Sequence, residues 1–144
     1  MVNKNTDDLK SAFAIRRDYK EWMKIKADIH NGGKFRTFSE GQVWWCVLGE
    51  NVGIEINGKG SYFLRPIFVL KKNGRLGFIG IPLTTKAHSG YGYLSFDFKG
   101  KTTYAVFSQI KTISVFRLLR KMGEVDDLDF EKIQKGIGEF LGFL

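Results

Sequence analysis

Residues 65–83 read RPIFVLKKNGRLGFIGIPL and contain the clearest structural signal in the chain. Two runs of aromatic and aliphatic residues, RPIFVL and GFIGIPL, lie on either side of a polar segment at residues 71–75. Asn73 and Gly74 form the dipeptide that tight hairpin turns favour, because both residue types accept a positive φ. The sequence therefore predicts two antiparallel strands joined by a short turn.

Segments of the same character precede and follow this hairpin. They are QVWWCVL at residues 42–48, YGYLSFDF at residues 91–98 and TTYAVFSQIKTI at residues 102–113. Five or six strands with no helix between them predict a mostly antiparallel sheet, curled into a small barrel. Trp44 and Trp45 are adjacent, so they face opposite sides of their strand. One of them is expected in the core, and the other against a base or in a dimer interface.

Each end of the chain predicts a helix. Residues 6–31 carry apolar side chains at helical spacing, with Thr6 as the N-cap and glycines 32 and 33 as the stop. Residues 127–141 also have one apolar face, with Asp127 as the cap. We expect the first helix to pack on the sheet, although its basic residues are also placed to skirt a nucleic acid: Arg16, Arg17, Lys20, Lys24 and Lys26. The chain is therefore predicted to be an α+β protein.

The positive charge is concentrated in the predicted sheet. The formal net charge is +8, and residues 41–123 hold twelve Lys and Arg against three Asp and Glu. Residues 124–144 are acidic, with six Asp and Glu against two Lys. A basic body attracts polyanions, with nucleic acid as the first candidate and an acidic protein segment as the second. A basic domain without such a partner is the remaining interpretation.

The sequence lacks the residues that most catalytic and metal sites need. Its one cysteine, Cys46, lies in an apolar predicted strand and is expected to be a core residue rather than a nucleophile. One cysteine and two histidines fall short of a zinc site, and there is no P-loop or dinucleotide-binding glycine motif. We therefore expect no metal and no cofactor. A single cysteine and a polar N-terminus predict a cytoplasmic protein. The apolar runs are too short to predict a membrane span.

Four segments occur in an order that is typical of one protein family. They are GQVWWCVLGENVGIEINGKG at residues 41–60, RPIFVL at 65–70, IPLTTK at 81–86 and SQIKTISVFRLLRKMGEV at 108–125. Their motifs resemble those of the MazF/PemK toxins of type II toxin–antitoxin systems. The first 40 residues lie outside this resemblance. We therefore predict an N-terminal helical extension at residues 1–40 and a MazF/PemK-like barrel domain with a C-terminal helix at residues 41–144.

The resemblance implies a small SH3-like antiparallel β-barrel and an endoribonuclease that cuts single-stranded RNA without a metal. It also implies a homodimer and a cognate antitoxin, whose acidic segment covers the RNA groove. The catalytic pair of the family falls on Arg65 and Thr84 of this sequence. The loop acid of the family falls on Glu55, and its strand glutamine falls on Gln109.

The chemistry of these residues suits RNA cleavage. RNA carries its own nucleophile, the 2′-hydroxyl, so an enzyme needs to orient that group and neutralise the phosphorane oxygens. Arg65 supplies a fork of donors matched to a phosphate, and Thr84 can donate to the phosphate or to the leaving oxygen. Glu55 either orients Arg65 or takes the 2′-hydroxyl proton. Further RNA contacts are expected from Lys59, Lys86, His88, Gln109 and Arg117.

The segment GENVGIEINGKGSYFLRP at residues 49–66 is predicted to be a mobile cover beside Arg65. It would order when RNA or antitoxin binds, so residues 51–63 should differ most between the bound and free forms. Ile54 stands where the family often has Ser, and the loop is longer than in compact members. These two departures leave the sequence preference for RNA open.

Two other interpretations stay open from the sequence. The same fold hosts a toxin that poisons DNA gyrase by protein contact, so a non-catalytic binding module is the main alternative. A decayed toxin that still binds its antitoxin is the other alternative. Only a test of RNA cleavage separates these from an active nuclease.

Overall fold

The computed structural model describes residues 18–144, which form two α-helices and seven β-strands. The strands are β1 (Gln42–Val47), β2 (Leu64–Asn73), β3 (Gly77–Thr84), β4 (Tyr93–Phe98), β5 (Lys101–Val106), β6 (Lys111–Ser114) and β7 (Leu118–Glu124). The helices are α1 (Tyr19–Asn31) and α2 (Asp127–Phe140), and 3-10 turns cover Phe107–Gln109 and Val115–Arg117. Neither described helix has the length and apolar character that crossing a membrane requires.

The strands pair antiparallel in the order β4-β5-β3-β2-β1-β7, with β6 placed beside β3. Strand β3 pairs with β2 along one edge, and its other edge is shared by β5 and β6. Within the described chain the end strands β4 and β7 do not pair with each other, so the curled sheet is barrel-like without closing. The predicted antiparallel sheet between two terminal helices is therefore confirmed.

The β2–β3 hairpin forms as its Asn-Gly turn predicts. The two strands stay paired as far as Asn73 and Gly77, and Gly74 adopts a φ of +63° in the turn. At the other end of the hairpin, Ile67 lies opposite Pro82. The hairpin therefore brings the start of β2 beside the end of β3.

The sheet is apolar on both faces, so it forms the centre of two cores. One face packs against α2, with Phe68, Ile81 and Ile133 buried between them. The other face carries Ile67 and Phe78 and is closed by β6, β7 and the segment before β1. A sheet covered on both sides is rigid, and residues at its strand ends have well-defined positions.

Strand β1 places its aromatic and sulfur side chains as the alternation of a strand requires. Trp44 and Cys46 are buried in the second core, which confirms that one tryptophan and the cysteine are core residues. Burial raises the pKa of the Cys46 thiol, against a smaller lowering by the charge of Arg117. Trp45 is partly exposed, and the guanidinium carbon of Arg120 lies 5.9 Å from its ring centroid.

Both predicted helices need a correction at their N-termini. Helix α1 begins after Asp18, whose carboxylate accepts a hydrogen bond from the backbone N–H of Glu21. The predicted continuous helix over residues 6–31 is therefore wrong at Asp18, while Thr6 lies outside the described residues. Helix α2 is capped by Asp126 rather than Asp127, because Asp126 accepts from the backbone N–H of Asp129.

The predicted strand TTYAVFSQIKTI is also wrong as one element. It divides into β5 and β6 around the turn Phe107–Gln109, because β5 and β6 pair with different parts of β3. Strand β7 was not predicted, since its sequence LLRKMGE is charged and mostly exposed. It pairs along the outer edge of β1.

Helix α1 is held on the sheet by Trp22. This side chain is 3% exposed and lies edge-on to Phe63, with 5.5 Å between ring centroids. Its indole ring also covers Gly49, where any side chain would overlap it. Gly49 and Phe63 are the two ends of the segment between β1 and β2, so α1 holds both ends of that segment.

Replacing Trp22 by alanine is expected to lower the free energy of unfolding by about 3 kcal/mol, because a large buried aromatic side chain is lost. Met23 is the matched control on the same helix, since it is 58% exposed. Met23→Ala should change the free energy by no more than about 0.5 kcal/mol. Urea titration of the two variants gives both values, and equal losses would contradict this account of α1.

Candidate active site

Arg65 and Thr84 lie side by side at neighbouring strand ends. Ile67 of β2 lies opposite Pro82 of β3. Two residues further towards the ends of these strands, the same register places Arg65 opposite Thr84. Opposite residues of an antiparallel pair project from the same face of the sheet. The guanidinium Nη1 of Arg65 donates to the carbonyl oxygen of Leu83 at 3.3 Å. The structure therefore brings these two predicted site residues together.

Two backbone carbonyls hold the Arg65 guanidinium. Besides the bond to Leu83, Nε donates to the carbonyl oxygen of Asn57 at 2.6 Å, from the loop between β1 and β2. In the described part of the chain no carboxylate forms an ion pair with Arg65 within 4.0 Å. Burial lowers the pKa of Arg65. Its positive charge is thus fixed in position, partly desolvated, and not neutralised by an acid.

The Thr84 hydroxyl is oriented by the chain that follows it. Its oxygen accepts a hydrogen bond from the backbone N–H of Lys86 at 3.2 Å. Among the described residues no acceptor takes the hydroxyl proton, which leaves it able to donate to a ligand. Across the sheet Thr84 pairs with Tyr104 of β5. The hydroxyl is therefore available as a donor on the sheet face that also carries Arg65.

Aromatic rings extend this surface away from Thr84. His88 stacks on Tyr93, with 4.3 Å between ring centroids and 4° between planes. The same histidine lies edge-on to Tyr104 at 6.4 Å. The sequence predicted His88 but not the two tyrosines, although the alternation in TTYAVF and YGYLSF could have shown which face they occupy.

The loop acid Glu55 does not contact the arginine. Its carboxylate accepts the backbone N–H of Val52 at 2.9 Å, which closes a turn within the loop. The expectation that Glu55 orients Arg65 is thus wrong, since the carbonyl oxygens of Asn57 and Leu83 do so. Glu55 instead acts electrostatically on Lys111, a half-buried residue that the sequence reasoning did not select.

Gln109 holds the loop between β1 and β2 with both polar atoms of its side-chain amide. Its Oε1 accepts the backbone N–H of Ile56 at 3.0 Å, and its Nε2 donates to the carbonyl oxygen of Ile54 at 3.0 Å. Both polar atoms are therefore used inside the protein in the structure described. This differs from the expected contact with RNA. Gln109 is better described as a residue that positions the loop, and through Asn57 it supports Arg65.

Replacing Gln109 by alanine is expected to accelerate hydrogen exchange at the Ile56 amide about fivefold, because one hydrogen bond contributes about 1 kcal/mol. Ser108→Ala is the matched control, since Ser108 is exposed on the same turn. Exchange at Ile56 should be unchanged in that control. An Ile56 amide that exchanges equally in the two variants would rule out this role of Gln109.

Arg117 also binds backbone rather than open surface. Its Nη1 donates to the carbonyl oxygens of Val47 at 3.0 Å and Leu48 at 3.3 Å. Its guanidinium carbon lies 5.8 Å from the ring centroid of Trp22. Burial lowers the pKa of Arg117, with a smaller opposing effect of Cys46. The residue joins β1 to α1, and the RNA contact expected of it stays a prediction.

The two remaining predicted RNA contacts, Lys59 and Lys86, are exposed. Lys59 lies on the loop, where its backbone pairs with Leu64 in both directions at 2.8 and 2.9 Å. Lys86 lies two residues after Thr84. In sequence, Lys59 precedes β2 with Arg65, and Lys86 follows β3 with Thr84.

The loop between β1 and β2 is held at several points. Gln109 binds its middle, Tyr19 of α1 donates to the carbonyl oxygen of Asn51 at 2.7 Å, and Phe63 packs in a small core with Trp22. The predicted cover is thus ordered over Arg65. The expectation that residues 51–63 change most on RNA binding stays a prediction.

Another cleft lies away from Arg65. It has a volume of about 580 Å³ and lies between the segment before β1 and the β2–β3 turn, with Phe35, Lys72 and Leu76 among its walls. Lys72 is seven residues along β2 from Arg65, a distance of roughly 23 Å at the rise of a strand. Within residues 18–144 no three His, Cys, Asp or Glu side chains lie close enough to hold a metal ion.

Comparison with known proteins gives one family and one fold. A model of the PemK-like, MazF-like toxins of type II toxin–antitoxin systems matches residues 39–141. No curated protein matches the sequence. The α+β fold with a small SH3-like barrel is confirmed by the two solved structures that follow.

The crystal structure of MazF (Form-I) from Deinococcus radiodurans is 18% identical, with a TM-score of 0.63 over 74% of this chain and 98% of that one. An endoribonuclease from a mycobacterial species, in complex with its cognate antitoxin, is 20% identical with a TM-score of 0.57. That match covers 75% of this chain and 98% of the endoribonuclease. At these identities the likeness establishes the fold.

Proposed function

The chain belongs to the PemK-like, MazF-like toxins of type II toxin–antitoxin systems, and from this membership we propose that it is an endoribonuclease. The substrate is single-stranded RNA, and the nucleophile is the 2′-hydroxyl of the RNA itself. The resemblance inferred from the sequence motifs is confirmed by the family match. The activity, the mechanism and the partners of the chain are parts of the same proposal.

The observation that carries the proposal is the pairing of Arg65 with Thr84. A guanidinium held by two carbonyl oxygens, without a carboxylate partner among the described residues, presents a desolvated positive charge at the strand end. Such a charge attracts a phosphate more strongly than a solvated one does. The Thr84 hydroxyl adds a directed donor at the same place.

Cleavage then follows from the substrate's own chemistry. The 2′-oxygen forms a bond to phosphorus while the bond from phosphorus to the 5′-oxygen breaks. Arg65 stabilises the negative charge that accumulates on the phosphorane oxygens, and Thr84 donates to the phosphate or to the departing 5′-oxygen. The positive charge that the transition state needs comes from Arg65, so the mechanism requires no metal. The products are a 2′,3′-cyclic phosphate and a 5′-hydroxyl.

Proton transfer accompanies both bond changes. The 2′-hydroxyl must lose a proton, and Glu55 on the loop is the residue we assign as its acceptor. The 5′-oxygen gains a proton from water as it leaves. The stacked rings of His88 and Tyr93 offer a flat surface for a neighbouring base, since stacking accepts any base.

The proposal also includes partners. The mycobacterial structure contains a cognate antitoxin, and we propose an antitoxin with an acidic segment for this chain. The basic central region, with twelve Lys and Arg against three Asp and Glu, favours such a segment as well as RNA. A homodimer that works in the cytoplasm completes the assignment.

The test is cleavage of a mixed-sequence RNA by the wild-type protein in EDTA, with the product ends identified by mass spectrometry. We expect 2′,3′-cyclic phosphate ends, and no cleavage of the same oligonucleotide made of DNA. Cleavage that requires a divalent metal would rule out the mechanism. Absence of cleavage, combined with binding to a protein target, would favour the non-catalytic alternative.

A further inference from the structure

A second cleft lies between α1 and the barrel and is separate from the Arg65–Thr84 pair. Its volume is about 130 Å³. Its polar wall consists of Lys26 and His30 of α1 with Ser114 and Arg117 of the barrel. Two basic side chains, a histidine and a hydroxyl group thus face a common space.

The positive charge around this cleft is not neutralised by ion pairs among the described residues. Within the described residues neither Lys26, Lys111 nor Arg117 forms an ion pair within 4.0 Å. The pKa of Lys111 is lowered by burial, then by Arg117, with a further contribution from Lys26, and Glu55 opposes these effects. Cations this close repel one another, so a bound anion would relieve the repulsion.

The donors needed for an anion are present. Both hydrogen bonds of Arg117 within the described chain use Nη1, which leaves its other guanidinium nitrogens to bind a ligand. The Lys26 ammonium is exposed. A lysine and an arginine that converge on one space are the usual ligands of a phosphate.

The rest of the cleft is apolar and aromatic. Trp22, Ile29 and Phe116 form this wall. At about 130 Å³ the cleft holds a phosphate group rather than a whole nucleotide, and the apolar wall meets the sugar attached to that phosphate. An isolated inorganic anion would use only the polar wall.

The positive charge beside the cleft extends towards β3, the strand that carries Thr84, through Lys111, which interacts electrostatically with Arg117 and Lys26. Lys111 lies opposite Gly80 on β3, four residues from Thr84, which corresponds to roughly 13 Å along the strand. Residues at even spacing on a strand share one face, so Lys111 and Thr84 lie on the same side of the sheet. Helix α1 lies outside the region that matches the family, residues 39–141. The cleft is thus an addition of this chain.

We propose that the cleft between α1 and the barrel is a subsite for a phosphodiester of the RNA substrate, beyond the one that is cleaved. The proposal rests on the assignment of RNA as the substrate. Lys26 and Arg117 bind the phosphate, and the partly exposed side chains of Ile29 and Phe116 contact the attached sugar. The N-terminal extension thus lengthens the RNA-binding surface.

The test compares Lys26→Gln with Lys24→Gln. Lys24 is exposed on the same helix and pairs with Glu21 at 3.9 Å, so it is a matched control for charge. The probes are 2′-O-methylated RNAs of about 16 and about 4 nucleotides, which span the usual range of single-strand site sizes and resist cleavage. Affinity is measured as a function of salt, and thermal unfolding confirms that both variants fold.

For the long RNA, Lys26→Gln should reduce the slope of log affinity against log salt by about 0.7, the value for one phosphate contact. Between 1 M and 0.1 M salt, the affinity of the variant should therefore rise about fivefold less than the affinity of the wild type. Lys24→Gln and the short RNA should show no change. An unchanged slope, or an equal loss in the control, would overturn the subsite.

Two further outcomes separate this proposal from the proposed function. If wild-type protein cuts RNA but the slope is unchanged, the subsite is wrong and the nuclease stands. If the slope changes as expected but no RNA is cut, the subsite stands and the catalytic assignment is wrong. A Lys26→Gln variant that binds RNA normally but loses an acidic antitoxin peptide would show that the cleft binds protein instead.

Discussion

Replacing Arg65 by alanine is expected to reduce the rate of RNA cleavage by about a thousandfold, because one charged donor to the transition state is lost. The Arg65 guanidinium combines burial, fixed geometry and a positive charge beside Thr84. Arg75→Ala is the control, since Arg75 is exposed in the β2–β3 turn. Single-turnover cleavage at saturating protein measures the chemical step without the binding step.

Arg65→Lys separates charge from geometry. Lysine keeps the positive charge but cannot form the same two directed bonds to the carbonyl oxygens of Asn57 and Leu83. Losing one charge-assisted hydrogen bond costs about 1.5–3 kcal/mol, so the rate should fall by about tenfold to a hundredfold. A lysine variant as active as the wild type would show that charge alone is sufficient.

Substitutions of Thr84 are expected to lower the cleavage rate less than the loss of Arg65 does. Thr84→Val removes the hydroxyl but keeps the shape, while Thr84→Ser keeps the donor. The valine variant should lose about a hundredfold in cleavage rate and the serine variant much less. If cleavage survives in both Arg65→Ala and Thr84→Val, the pair is not the catalytic site.

The sequence predicted those features that depend on local chemistry. The hairpin followed from Asn73 and Gly74, because a tight turn needs residues that accept a positive φ. The burial of Cys46 followed from its apolar strand. The neighbourhood of Arg65 and Thr84 also follows from the hairpin, since its register joins the start of one strand to the end of the next.

Features that depend on distant backbone groups could not be predicted. Gln109 binds the backbone of Ile54 and Ile56, more than fifty positions away, and Arg117 binds Val47 and Leu48 about seventy positions away. The order of side-chain types in a sequence does not show which distant backbone groups a polar side chain will bind. Polar residues predicted to contact RNA were for this reason found to hold the protein's own loop.

Two boundary errors have a similar cause. The apolar periodicity of the sequence continues through Asp18, but the carboxylate of Asp18 accepts from the Glu21 amide and caps the helix that begins at Tyr19. Strand β7 is charged and exposed, so its sequence resembles a surface segment. Its pairing with β1 depends on the partner strand rather than on its own pattern.

The loop between β1 and β2 links these observations, because both its ends and its middle are fixed by residues far from Arg65. Within the loop Gly58 is buried, and its backbone N–H donates to the carbonyl oxygen of Gly49 at 2.8 Å. A Cβ at position 58 would overlap the backbone carbonyl of Phe63. Backbone cannot move aside as a flexible side chain can, so no larger residue fits the closed loop.

Gly58→Ala is therefore expected to open the loop and to lower cleavage by about a hundredfold, the usual cost of misplacing a catalytic group by about 1 Å. The variant should also lose about 2–4 kcal/mol of unfolding free energy, since backbone overlap is among the large single-residue effects. The expected cause is displacement of Asn57, whose carbonyl oxygen accepts from Arg65 Nε.

The matched control is Gly53→Asn in the same loop. Gly53 has a φ of +56°, and nothing lies within 4 Å of the position that a Cβ would occupy. Asparagine tolerates this backbone conformation, so this variant should stay close to the wild type in activity and stability. Hydrogen exchange at Ile56 reports whether the loop has opened. If Gly58→Ala cleaves RNA at the wild-type rate while the Ile56 amide exchanges rapidly, closure of the loop over Arg65 is not required for catalysis.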